Sequence, residues 1–161
     1  MSRLALVLLF LACNRAPDDR PALVATCAGD LGGVPEVSRD ALCACVADAI
    51  IAAHPAAGDR AGLGRIDAAA AEPEVVGMAA GCARTTKMVE YPPYVRANFV
   101  DVCIRAAHGH GDAGRTCRCG FDRIALTVPY HEFVDLEAQT KATDRLPAPF
   151  AAAFQGCMTP R

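Results

Sequence analysis

Cysteine is the residue type in this chain with the most chemistry to offer. There are nine cysteines, an odd number, and eight of them fall into two matching sets. Cys27, Cys43, Cys45 and Cys82 are separated by 16, 2 and 37 residues; Cys103, Cys117, Cys119 and Cys157 by 14, 2 and 38. Closely spaced thiols can form structural disulfides, hold a soft metal ion or exchange disulfides with a partner. Histidine is the next candidate. His108 and His110 flank Gly109 a few residues before Cys117 and Cys119, so a Zn²⁺ or copper site using these side chains is the alternative chemistry to weigh. The first set has no histidine in its corresponding loop, which reads Gly29-Asp30-Leu31-Gly32-Gly33, and the spacing fits no standard zinc pattern. No metal or other cofactor is therefore expected, and metal binding or thiol redox chemistry through His108, His110 and the CxC cysteines stands as the alternative.

Other catalytic patterns are weaker. His131-Glu132-Phe133-Val134-Asp135 begins like the metalloprotease H-E-x-x-H, but Asp135 stands where the second histidine is needed. His54 precedes Pro55, where a helix end gives it a structural use. Ser38 is the one serine after the N-terminal segment, no G-x-S-x-G occurs, and the carboxylates form no defensible acid–base pair. No catalytic residue is assigned, and a non-enzymatic role is expected.

A CxC pair on a helix has a geometric consequence. Residues two apart are about 200° apart around the axis, so their side chains reach opposite flanks and do not close on each other. Cys27 and Cys82 should therefore each bond one member of the Cys43/Cys45 pair, and Cys103 and Cys157 one member of Cys117/Cys119. Which thiol takes which partner stays open.

The elements that must position these cysteines read as helices. The segment before the first cysteine of each set opens on proline, at Pro21 and at Pro92-Pro93, and proline suits a first helical turn. Val95, Phe99, Val102, Cys103 and Ala106 form an apolar stripe at helical spacing. Ser38 is placed to cap a second helix over residues 39–53, with Leu42, Val46, Ala49, Ile50 and Ala53 on one side; its counterpart covers 115–127. A third, weaker helix is expected over 59–71 and over 130–142. A fourth begins at Pro73 or Pro147 and ends near Cys82 or Cys157. Sustained β-branched alternation is absent. The spacing predicts an all-α fold of two tandem disulfide-stapled helical modules, residues 21–85 and 92–161, with about four helices each. Tyr91-Pro92-Pro93-Tyr94 forms a stiff connector within 83–94.

Composition agrees with a globular chain. The sequence is 53% hydrophobic and 21% charged, and much of its apolar content is alanine, which buries little area per residue. Covalent restraint would supplement such a core. With 16 basic and 18 acidic residues, net −2 and no basic stripe, nothing points to nucleic acid.

The ninth cysteine belongs to the N-terminus. Met1-Ser2-Arg3 carries one positive charge, and Leu4 to Ala12 is an apolar run of nine residues that ends in polar Asn14, Arg15 and Asp18. At 1.5 Å per residue the run is too short to span a ~30 Å hydrocarbon layer and suits a signal peptide, residues 1–12. Phe10-Leu11-Ala12-Cys13 resembles the bacterial lipobox, in which a small residue precedes a cysteine that is lipidated and becomes the new N-terminus. Ala12 and Cys13 match that pattern; Phe10 and Leu11 depart from its usual leucine and small residue. The resemblance implies a bacterial lipoprotein anchored to the membrane at Cys13, with residues 13–20 as tether, and it leaves an even set of eight cysteines for pairing. Asn14 is not the aspartate that retains lipoproteins at the inner membrane, so the resemblance implies the cell envelope with the outer membrane favoured. Plant lipid-transfer proteins are also eight-cysteine helical proteins with a CxC, but they need an adjacent Cys–Cys pair that is missing here. The expected role is binding or scaffolding in the envelope, through an unknown envelope protein or small ligand; the alternative is carriage of a small hydrophobic ligand.

Overall fold

The computed structural model describes residues 19–107 and 112–158. The leader and lipobox (1–13), residues 14–18 of the tether, and His108 and His110 lie outside the described residues. Among the described residues the chain is all-helical, without a strand. The first half holds α1 (Arg20–Gly29), α2 (Glu36–Ala53), a 3-10 turn (Ala57–Arg60) and α3 (Pro73–Thr85). The second holds α4 (Pro93–Ala106), α5 (Ala113–Thr127), α6 (Tyr130–Thr143) and α7 (Ala148–Met158). Proline lies in the first two positions of α1, α3 and α4, where its missing N–H has no helical acceptor to lose.

Two local expectations are corrected. Ser38 caps nothing, because α2 starts two residues earlier. A turn from Val34 N–H to the Leu31 carbonyl leads into Pro35, whose own carbonyl accepts from Arg39 N–H. Glu36 then sits in the first turn, where a negative charge favours the exposed amides. The helix expected over 59–71 is reduced to the 3-10 turn followed by an irregular segment. Gly62 adopts φ +86°, a conformation that ends a helix, and the Asp30 carboxylate accepts from Ile66 N–H at 2.9 Å and Asp67 N–H at 3.2 Å. Amides that a helix would bond internally are thus taken by a side chain from α1's end. The matching stretch of the second half has no glycine and forms α6 in full.

Packing repeats between the halves. α1 lies on α2 and α2 on α3; α4 lies on α5 and α5 on α7. Leu42, Val46 and Ile50 of α2, and Phe121 and Ile124 of α5, are buried. What fills the two interiors differs. Leu23, Ala47, Val75 and Ala79 of the first half stand at the register of Phe99, Phe121, Phe150 and Phe154 of the second, so the second core is an aromatic cluster that also takes in Tyr91, Tyr130 and Phe133.

Both interiors belong to one continuous buried cluster. α3 packs on α6, where Arg84 donates to Asp135 at 2.5 Å. The connector is docked rather than free. Val89 and Met88 carbonyls accept from Tyr130 and His131 N–H, and the Tyr91 hydroxyl donates to the Val128 carbonyl at 2.8 Å.

Candidate functional site

All eight cysteines within the described residues pair: Cys27 with Cys43, Cys45 with Cys82, Cys103 with Cys117 and Cys119 with Cys157. The open choice resolves the same way in both halves. The first thiol of each CxC faces the preceding helix and the second faces the helix that ends the half, as the ~200° separation requires. An ion pair repeats at the same register. Arg20 and Arg96 each stand seven residues before the first cysteine, and Asp48 and Asp122 each three after the second CxC cysteine. Arg20 bonds Asp48 at 2.6 Å and Arg96 bonds Asp122 at 2.9 Å. The hydrogen bonds from these guanidinium groups hold both carboxyls below the usual range.

The second half carries a groove of about 640 Å³ that the sequence alone did not reveal. Phe99, Val102, Cys103, Ala106 and Ala107 form its α4 wall. Ala113, Thr116 and Cys117 come from α5, and Phe150, Phe154 and Met158 from α7. Asp112 ahead of α5, Glu137, Thr140 and Lys141 of α6, and Asp144, Arg145 and Leu146 after it complete the rim. Three large apolar side chains on this groove are held out toward water: Val102 is 57% exposed, Leu146 55% and Met158 63%. The apolar stripe expected on 95–106 accounts for part of this. Val95 is buried and Phe99 packs half-buried against the core at the groove's floor, but Val102 and Ala106 leave the core and face the groove. A repeat alignment carries a signal for it. Leu31 and Leu42, both buried, correspond to Ala107 and Thr116, so the second half lacks bulk at these two positions.

The remaining candidates have structural partners. His131 Nδ1 lies 3.0 Å from the Met88 carbonyl, and His54 follows α2 with Nε2 3.3 Å from Glu74. Burial pushes the Tyr130 phenol up to about 12, and Tyr91 and Tyr94 are raised by burial as well, so all three stay neutral near pH 7. Among the described residues, no group of three or more His, Cys, Asp or Glu side chains could hold a metal ion. No described helix is long and apolar enough to cross a membrane. The arrangement of the groove can enclose an apolar group and offer polar side chains of both signs at its edge. No family model matches the chain, and neither a curated protein nor a solved structure matches it.

Proposed function

We propose that the chain is an exported binding protein of the cell envelope, lipid-anchored at Cys13, with the outer membrane favoured, and that the groove of the second half is its working surface. The observation that carries the binding role is the groove itself, while the anchor rests on the likeness of Phe10-Leu11-Ala12-Cys13 to a lipobox. Its volume of about 640 Å³ falls within the ~300–1,000 Å³ usual for ligand sites. It also exposes three large apolar side chains together, a pattern that marks interaction surfaces. Disulfides on two flanks of α5 hold its walls, so the surface is set before a partner arrives, which lowers the ordering cost of binding.

Two measurements test the proposal. Intact mass of the chain recovered from bacterial membranes should report loss of residues 1–12, acyl addition at Cys13 and four disulfides; an unacylated Cys13 refutes the anchor. An environment-sensitive apolar dye should bind the oxidised chain and lose affinity about tenfold in Thr116→Leu, which places a larger side chain in the groove. Equal dye binding by both proteins refutes the groove as the working surface.

A further inference from the structure

The two halves treat the face of their first helix differently. In the first, the chain's own segment 63–67 lies across α1. Gly64 sits so close that a Cβ there would be 2.6 Å from Thr26 Cβ and 3.2 Å from the Leu23 carbonyl oxygen. Beyond it, Asp30 accepts from Arg65 Nε at 2.8 Å and from the Ile66 and Asp67 N–H groups, and the Ile66 side chain is buried. Counted from the first cysteine of each half, Leu23, Thr26 and Asp30 correspond to Phe99, Val102 and Ala106. All three of those line the groove. The seat that the first half fills with its own backbone is therefore lined, in the second, by residues facing the groove. The matching stretch folds as α6: its Phe133 packs on Phe99, and its Glu137, Thr140 and Lys141 border the groove from the opposite side instead of lying across α4.

We propose that the groove is a peptide seat: it takes an extended segment of a partner protein that presents an aliphatic side chain, with a small residue two positions before it, as Ile66 and Gly64 are presented to α1. This rests on the reading of the groove as the working surface and names its occupant. Charge at the rim favours a peptide over an acyl chain. Lys141 and Arg145 share the rim with Asp112, Glu137 and Asp144, and Glu137 lies 3.7 Å from Lys141. Mixed signs suit a backbone with alternating donors and acceptors, whereas the single anionic head of a fatty acid would meet more carboxylates than cations.

The probe is a blocked peptide of residues 61–68 (Ala-Gly-Leu-Gly-Arg-Ile-Asp-Ala), titrated into the full oxidised chain with methyl and amide shifts followed by NMR. Shifts should concentrate on α4 and α7, not on α1, where the chain's own segment already sits. Ala106→Asp installs a carboxylate at the Asp30 register and should tighten binding about tenfold through charge-assisted hydrogen bonds. Thr116→Leu, and separately a peptide with alanine for isoleucine, should each weaken it about tenfold. Dodecanoate is the comparison ligand. If it binds in the groove and the peptide does not, the peptide seat is overturned while the groove reading stands; if neither binds, both fall. Peptide binding indifferent to Ala106→Asp and Thr116→Leu also overturns the inference, because the contact would then lie elsewhere.

Discussion

Reducing all four disulfides should unfold this protein at room temperature, and the size of the effect follows from where the bridges fall. Two close separations of 16 and 14 residues, and two close separations of 37 and 38. Loop-closure entropy assigns about 3 kcal/mol to each short bridge and about 3.8 kcal/mol to each long one. The four loops follow one another along the chain without nesting, so their restraints on the unfolded state add, to about 14 kcal/mol. Net stabilities of domains lie at about 5–15 kcal/mol. Packing is unchanged by reduction itself, but the aliphatic interior of the first half, which holds no aromatic ring, does not offset a loss of that size. The assay is far-ultraviolet circular dichroism with thermal melts of oxidised and dithiol-treated protein, with alkylation and mass spectrometry tracking each bridge. Cys27 and Cys43 are fully buried while Cys119 and Cys157 are only half-buried, so the Cys119–Cys157 bridge should open first. A fully reduced chain that still melts cooperatively within about 10 °C of the oxidised one would refute the reasoning, since ~14 kcal/mol corresponds to tens of degrees for a chain of this size.

Three further outcomes are expected. Asp30→Asn should destabilise by about 1–3 kcal/mol at pH 7, because the part-buried amides of Ile66 and Asp67 lose a charged acceptor. Burial raises the Asp30 carboxyl, but the Arg65 hydrogen bond and the two amides outweigh it and leave it lowered. Its stabilisation is therefore complete above the unfolded value near 4 and lost as pH falls through the folded one, so wild-type and variant denaturant midpoints should converge on acidification; a constant gap sinks this account. Ile50→Ala and Ile124→Ala, at matching register and both 0% exposed, should each cost about 2–5 kcal/mol in equilibrium unfolding; a loss under 1 kcal/mol at either site would contradict its place in the core. Gly64→Ala should displace the 63–67 segment from α1, increasing amide exchange at Ile66 and Asp67, and Thr26→Gly should relieve part of the effect by removing both the Cβ 2.6 Å from the new Cβ and the methyl at 2.9 Å.

Sequence by itself determined the two-fold repeat of four cysteines, the helical character of the chain and the exclusion of a bond within either CxC, because each follows from local spacing. Proline at the head of three helices and the Leu42, Val46 and Ile50 stripe are likewise short-range signals. What needed tertiary structure was every choice in which a distant group competes with a local preference. Ser38 is a good cap by residue type, yet the turn ending at Val34 starts the helix before reaching it. Residues 59–71 carry helix-forming alanines, yet the Asp30 carboxylate takes their amides and holds them across α1. The choice of thiol within each CxC depends on which flank of α2 or α5 the neighbouring helix covers. The groove depends on the C-terminal part of α6 standing as its opposite rim, where the first half lays residues 63–67 directly on α1, and on Ala107 and Thr116 where the first half has leucines. Periodicity registers each helix's own faces; it carries no information about which face a partner element, tens of residues away, will leave uncovered.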